Sequence, residues 1–261
     1  MSCINIAFGV TKDWLKHTYV TMCSILSSGK CNNYKFFIMS DILETDFEVD
    51  FKPIYSKLVN ICPFEYKYIK MDNSEFSGVV HDKRVGISAY YRLKLGSLTD
   101  VDKIIYLDSD VIVLDDIYEL WEFDIKDYLI GAVEDKYSEL MGWRANLEDG
   151  DIYINSGVML MNLKKFREEN IEKQLFDKLR EEHNDYSDQD AINDICRDKI
   201  LYLPLKYNLM LTRDDPNAFP KRREEYNIAL KSPFILHYAI KPWIIPVEYS
   251  EHWKYFNNII S

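Results

Sequence analysis

Lys103-Ile104-Ile105-Tyr106-Leu107-Asp108-Ser109-Asp110-Val111-Ile112-Val113-Leu114 is the stretch from which the fold is read. Residues 103–107 form a short apolar run of the kind that makes a buried strand. A second apolar run resumes at Val111. Between the two stand carboxylates one residue apart. If the chain turns there, Asp108 and Asp110 can both approach one cation, because hard divalent ions take oxygen ligands and bridge carboxylates to a diphosphate. A solvated turn is the plain alternative, since Asp is common in turns and a bare Asp-x-Asp recurs by chance. The apolar runs on both sides weigh against it, because an acidic pair so flanked does not read as a solvated face.

The rest of the chain extends this pattern. Ile4-Asn5-Ile6-Ala7-Phe8-Gly9-Val10 reads as a buried strand ending near a glycine. Asp13 is placed to cap a helix running to about Ser28, with Leu15, Val20 and Ile25 inward. Phe36-Phe37-Ile38-Met39 is a second strand, a helical stretch passes through Tyr55 and Leu58, and a third strand covers 66–69. This alternation predicts a parallel sheet with helices on its faces. A helix over 87–98, with Leu93 and Leu95 buried, leads into the acidic strand. Downstream, 128–133 and 152–161 read as strands, 163–182 and 189–196 as helices, and prolines from Pro204 to Pro246 punctuate the remainder. Ligands of open α/β sheets collect at the carboxyl ends of strands, where Asp108 stands.

Composition narrows the partners. A chain of 261 residues with 47% hydrophobic content fits one domain with a real core. A net charge of -11 excludes nucleic acid as the main partner, which needs a basic field. A small anion held by one metal and a few local cations remains compatible. Cys3, Cys23, Cys31, Cys62 and Cys196 form no C-x-x-C pair, so reduced thiols are expected. Met1-Ser2-Cys3-Ile4-Asn5 shows no secretory pattern, and no apolar run approaches a membrane span. A cytoplasmic place is expected. The tail residues Trp253, Tyr255 and Phe256 come with one basic residue, Lys254, so at most weak peripheral contact with the inner face of a membrane is expected.

Five blocks, taken together and in order, carry a resemblance. Tyr90-Tyr91-Arg92-Leu93-Lys94-Leu95 with the 103–111 strand is one. Asn155-Ser156-Gly157 and the apolar run to Leu163 is another. Ser187-Asp188-Gln189-Asp190, His237-Tyr238 and Lys241-Pro242-Trp243 follow. The chain resembles retaining glycosyltransferase family 8, which includes bacterial lipooligosaccharide galactosyltransferases and glycogenin. The resemblance spans nearly the whole chain. It implies an α/β fold: a single Rossmann-like nucleotide-binding domain of the glycosyltransferase A type, with a mixed central sheet and a small C-terminal extension. Residues 1–115 would be the nucleotide-binding half, 116–245 the donor-sugar and acceptor half, and 246–261 a tail.

The same resemblance implies a UDP-sugar donor carrying galactose or glucose, a carbohydrate-containing acceptor, and Mn²⁺, with Mg²⁺ as the substitute. Asp108, Asp110 and His237 would be the metal ligands, a mixed oxygen and nitrogen set that suits Mn²⁺. Lys241 would reach the diphosphate as a point charge. Many members carry a glycine and extra residues between the histidine and Lys-Pro-Trp, whereas here only Tyr238-Ala239-Ile240 intervene. Arg92 would lie near donor sugar and phosphate. Gly9, Val10 and Thr11 would form the base-binding turn, with Asp13 nearby and Val85 and Ile87 along the uracil. Ser109 would be among the residues that bind the UDP-sugar. Asn155, Ser156 and Gly157 would approach the sugar or acceptor, and Asp188 would bind sugar hydroxyls or cap the helix that follows. Gln189 would face the sugar opposite the leaving group. An amide is a poor nucleophile, so a front-side displacement is expected rather than a covalent intermediate. Loops 136–150 and 212–223 would meet the acceptor.

Two other readings stand beside this one. A nucleotidyltransferase or phosphohydrolase also pairs carboxylates with metal, although neither a G-x-x-x-x-G-K-[ST] nor a G-x-G-x-x-G pattern occurs. A catalytically decayed UDP-sugar-binding protein is the second, kept open by the short 237–241 loop.

Overall fold

The apolar runs of the sequence pair into two sheets. The computed structural model describes residues 3–30, 33–79, 86–138, 147–148, 151–181, 187–211 and 219–261. Its strands are β1 (Ile4–Val10), β2 (Tyr34–Ser40), β3 (Phe64–Lys70), β4 (Lys103–Leu107), β5 (Val111–Val113), β6 (Ile130–Glu134), β7 (Ile154–Asn162), β8 (Ile200–Tyr202), β9 (Leu209–Leu211) and β10 (Ile235–Tyr238). A seven-stranded sheet has the order β3-β2-β1-β4-β7-β6-β8, and a three-stranded sheet the order β5-β10-β9. The expected parallel pairing holds from β3 through β4. It reverses at β7, which runs antiparallel to both β4 and β6, so the sheet is mixed.

Alternation along the strands fills two cores. Ile6, Phe8, Phe36 and Ile38 point to the face covered by α1 (Leu15–Ser28) and α2 (Glu44–Leu58). Ala7, Phe37 and Met39 point to the face covered by the segment before β4 and the helices after β7. The C-terminal helix Ser250–Ile260 lays Trp253, Phe256 and Ile260 inward, packing against α1, so most of the tail's aromatic surface belongs to the core. Among the described residues no helix is long and apolar enough to cross a membrane. Cys23 and Cys196 are buried free thiols, and Cys62 is buried as well; burial pushes Cys196 up to about 12.

Several local expectations are corrected. Asp13 does not cap α1: a 3₁₀ turn, Lys12–Trp14, precedes that helix, and Asp13 lies inside the turn with no side-chain capping bond. The 87–98 helix is a 3₁₀ stretch, Ile87–Lys94, continued by one α turn, Leu95–Leu98, and Tyr90 to Leu93 are all buried. The 163–182 helix is two helices, Leu163–Glu168 and Ile171–Leu179, broken where Asn170 adopts φ 53°, a left-handed conformation Asn tolerates. Asp188 is not the cap of its helix. Ser187 is, in a reciprocal box with Asp190, and this frees the Asp188 side chain for other contacts.

The acidic turn is held by hydroxyls from α1. Strand β5 is at the edge of the small sheet, with backbone groups that no neighbouring strand satisfies. Helix α1 presents hydroxyls to it at roughly one per turn. Thr18 Oγ1 lies 2.8 Å from Ser109 Oγ, and Thr21 Oγ1 donates to Val111 O at 2.8 Å. Ser24 Oγ accepts from Val113 N at 3.0 Å, and Ser28 Oγ donates to Val113 O at 3.0 Å. Thr21→Val keeps the shape but removes the donor from a buried carbonyl. It should lower unfolding stability by about 1–3 kcal/mol. The readout is the urea midpoint, with Ser56→Ala, a change at an exposed helical hydroxyl, as a control expected to move it little.

Candidate active site at the junction of the two sheets

Residues 108–110 join the large sheet to the small one, and strand pairing brings their partners. Register places His237 of β10 opposite Val111 of β5, and Tyr238 N donates to Asp110 O at 2.9 Å. On the other side β4 pairs β7, and Asp108 N donates to Gly157 O at 2.8 Å. Asp108, Asp110 and His237 thereby offer ligand atoms that lie within 4.8 Å of one another. His237 Nε2 is 3.4 Å from Asp110 Oδ1 and 4.0 Å from Asp108 Oδ2. Two carboxylates and one imidazole at this spacing can hold a divalent metal. Gly157 is what lets them meet: a Cβ there would stand 2.4 Å from His237 Cε1 and 2.8 Å from Asp108 Oδ2.

Arg92 occupies the next layer. It is 4% exposed, its Nη2 is 3.1 Å from Asp108 Oδ1, and its guanidinium lies 4.4 Å from the centre of the Tyr106 ring. Nη1 donates to Ser156 O at 2.6 Å, and Nε donates to Ala89 O at 2.7 Å. Asp188 Oδ2 is 3.2 Å from that same Nε, but the N–H is directed to the Ala89 carbonyl. The pair is therefore a charge contact, and Asp188 Oδ2 is buried with no hydrogen-bond donor. Gln189 Oε1 accepts from Ser156 N at 3.0 Å and from Ser156 Oγ at 3.1 Å.

Lys241 does reach the cluster across the short loop. Its ammonium contacts the Asp110 carboxylate and donates to Tyr238 O at 2.9 Å. Trp243 anchors the loop, stacked on His17 with centroids 3.7 Å apart and set edge-on to Trp14. Burial, aided by Lys16, holds His17 down to about 4, so this ring stacks as a neutral imidazole.

The profile described as "Glycosyl transferase family 8" matches residues 5–244. The chain belongs to glycosyltransferase family 8. This glycosyltransferase is similar to "Lipopolysaccharide 1,2-glucosyltransferase" of Escherichia coli (strain K12), at 26% identity over 251 residues, covering 92% of this chain and 73% of that protein. It is also similar to "General stress protein A" of Bacillus subtilis (strain 168), at 28% identity over 204 residues, covering 73% of this chain and 71% of that one. The crystal structure of the galactosyltransferase LgtC in complex with donor and acceptor sugar analogues superposes with a TM-score of 0.82, at 25% identity, covering 98% of this chain and 95% of LgtC.

The family 8 chain has a cavity of about 670 Å³ lined by Gly9, Ser88, Arg92, Asp108, Ser109, Asp110, Ser156, Asp188, Gln189 and Lys241. Most residues singled out in the sequence thus share one space. The others lie elsewhere. Val10 is fully buried in the core, Thr11 caps the 3₁₀ turn through its backbone, and Asp13 borders a separate pocket with Lys16 and Tyr19. Ile87 packs against the second core, Asn155, Gly157 and His237 stand behind the cavity wall, and Val85 lies outside the described residues. Loops 136–150 and 212–223 fall largely outside them as well.

Sequence reasoning passed over Trp14 and Tyr106, which also line the cavity. Tyr106 looked like strand filling, and its alternation within β4 was the available signal. Trp14 had one too, an aromatic in the turn that follows the first strand.

The charges of this site are mutually held. Burial alone would raise Asp110, yet His237 and Lys241 hold it below the usual carboxylate range. Burial opposes the charge on His237, and Asp110 outweighs it, raising that ring. For Asp188 burial wins: with Asp108 adding and Arg92 opposing, its carboxyl is raised to about 6. An aspartate that binds its proton more tightly folded than unfolded (about 4) contributes stability below that unfolded value, and the contribution is lost as pH rises through about 6. Asp188→Asn, which never ionises, should therefore gain on the wild type by about 2–3 kcal/mol as pH rises from about 4 to about 7. Paired urea titrations across that range check this, and a flat difference would contradict it.

Proposed function

We propose that this chain is a Mn²⁺-dependent, retaining hexosyltransferase that takes galactose or glucose from a UDP-sugar and passes it to a carbohydrate-containing acceptor. The observation that carries the proposal is the arrangement around the cavity. Asp108 and Asp110 lie beside a cationic Lys241 on one wall, and His237 behind it completes a metal-capable set. A buried carboxylate oxygen of Asp188, without a hydrogen-bond donor, lies on another. Family membership and the names of the glucosyltransferase and galactosyltransferase relatives support the reaction class.

Each side chain then has a task. Asp108, Asp110 and His237 would hold the metal, and Gly157 fits their convergence by having no side chain. Bound there, the metal supplies neutralisation of the charge on the departing diphosphate. Lys241 exchanges the Asp110 carboxylate for a diphosphate oxygen when donor enters, so its charge is at hand as the leaving group departs. Trp14 gives the uracil a flat apolar wall. Asp188 Oδ2 accepts a hydroxyl of the donor sugar, which relieves its lack of a partner. Arg92 holds Asp108 and Ser156 in register across the site. Gln189 is an amide whose carbonyl is already committed to Ser156, and it offers no nucleophile. The acceptor hydroxyl therefore attacks from the face the diphosphate leaves, and a diphosphate oxygen takes its proton. Residues 1–115 would serve the nucleotide, 116–245 the sugar and acceptor.

The contact between Lys241 and Asp110 disfavours the decayed-site reading, because the short loop still delivers the cation. The test is UDP release from a panel of UDP-sugars with Mn²⁺ and with chelator. One sugar should release UDP only with metal, and Asp110→Asn should lower the rate about 100-fold or more. Pyrophosphate release would indicate a nucleotidyltransferase instead, and failure to bind UDP and Mn²⁺ by calorimetry would overturn the proposal. Gly157→Ala should lower the same rate at least about tenfold, because a methyl group must displace His237 or Asp108 at a cost of about 1–3 kcal/mol. A fully active Gly157→Ala enzyme would show that this convergence is not needed.

A further inference from the structure

Behind the cavity wall, His237 is continued by a line of three polar side chains that the reaction above leaves unused. His237 Nδ1 lies 3.0 Å from Asn208 Oδ1. Asn208 Nδ2 donates to Asn155 Oδ1 at 2.9 Å, and Asn155 Nδ2 donates to Asp135 Oδ2 at 3.0 Å. All four residues are buried, with exposures of 6%, 2%, 7% and 4% in that order along the line. An unmade hydrogen bond in such a place costs about 1–3 kcal/mol.

The direction of the line can be fixed without trusting which end of either amide is nitrogen. Amide oxygen and nitrogen have nearly the same shape, so direction has to come from groups with only one role. Two such groups flank Asn155. Gly157 N, which can only donate, points at one end of its amide at 3.0 Å, so that end is the oxygen. The Asp135 carboxylate faces the other end as an acceptor, so that end is the nitrogen. The two constraints agree. Asn155 Oδ1 also faces Asn208, which must therefore present its nitrogen there and its carbonyl to His237. A carbonyl can only accept, so Nδ1 of a neutral His237 carries the proton. The lone pair is left on Nε2, the nitrogen that faces Asp110 and Asp108. The opposite tautomer would set a lone pair of Nδ1 against the Asn208 carbonyl, in a place where water does not reach. Asp135 is itself fixed, its Oδ1 accepting from Tyr137 N at 2.9 Å.

We propose that Asn208, Asn155 and Asp135 are positioning residues that hold the His237 proton on Nδ1 and so present Nε2 to a metal. This deepens the metal reading of Asp108, Asp110 and His237 and rests on it. Nothing in the chemistry of metal ligation requires Nε2 rather than Nδ1; the line of amides selects it.

The first test needs neither metal nor substrate. Long-range ¹H–¹⁵N correlation on ¹⁵N-histidine-labelled, metal-free protein, at a pH alkaline enough for neutral rings, reports which nitrogen is protonated. The signal is assigned by its loss in His237→Gln. Nδ1 protonated is the expected result, and a proton on Nε2 or an even mixture overturns the inference. The second test is a Mn²⁺ titration followed by electron paramagnetic resonance. Asn208→Leu, verified as folded by near-ultraviolet circular dichroism, should bind Mn²⁺ about 10- to 100-fold more weakly. Unchanged affinity in the folded variant overturns the positioning role. If that variant does not fold, the wild-type spectrum still decides the tautomer. Wild-type protein that binds no Mn²⁺ would overturn the metal reading and the ligand half of this inference, whatever the tautomer.

Discussion

A buried guanidinium is the constraint on which the rest of this structure depends. Arg92 lies in the interior with Asp108 and Asp188 on two sides, Tyr106 against its face and the carbonyls of Ala89 and Ser156 on its N–H groups. An ion taken out of water is costly unless its donors and its charge are both answered. Burial works against the charge on Arg92, and Asp108 with Asp188 outweighs it, so the side chain stays cationic. The answer comes from the segment before β4, from β4 itself, from β7 and from the helix Asp188–Cys196. Four parts of the chain far apart in sequence must therefore reach their places together. Asparagine or leucine at either carboxylate would leave the arginine partly unanswered, and leucine at Arg92 would leave the buried Asp188 and the half-buried Asp108 without their cation.

A second constraint acts from the opposite side. The acidic triplet crosses from the large sheet to the small one, and at that crossing β5 has an open edge inside the protein. Sheet edges are normally left to solvent or covered by another strand. Here a helix covers it, and because a helix backbone has no hydrogen bonds to spare, side-chain hydroxyls at Thr18, Thr21, Ser24 and Ser28 do the pairing. The turn carrying Asp108 and Asp110 is thus gripped by α1 on one side and by Arg92 on the other. Both grips hold the two carboxylates convergent. Strand pairing also explains how a short 237–241 loop suffices. β10 is paired directly to β5, so His237 is delivered by the sheet, and only Lys241 depends on the loop.

Legibility differed from element to element for physical reasons. Strands β1, β2 and β4 were readable because buried strands leave unbroken apolar runs. Element ends were less so. Asp13 and Asp188 both had the composition of helix caps, but a 3₁₀ turn absorbed the first and the neighbouring Ser187 took the second role. Asn170 broke a helix that its periodicity carried straight through, since a single left-handed residue leaves no mark on hydrophobic spacing. The small sheet was not anticipated, because β5, β9 and β10 are too short to declare their partners.

What the sequence by itself determined was the strand and helix alternation of the first half, the acidic pair at a strand end, and the family, because these are local patterns and ordered blocks. Tertiary structure alone decided which blocks meet. Register put His237 beside Asp110, the β4–β7 pairing put Gly157 beneath both, and packing buried Arg92 between two carboxylates. It also decided that Val10, Asn155 and Ile87 would support the site rather than face its cavity. The reason is that direction and burial are properties of the whole packing arrangement. A residue's neighbours in sequence fix its backbone preferences, whereas its electrostatic state is fixed by residues that only the folded sheets bring near.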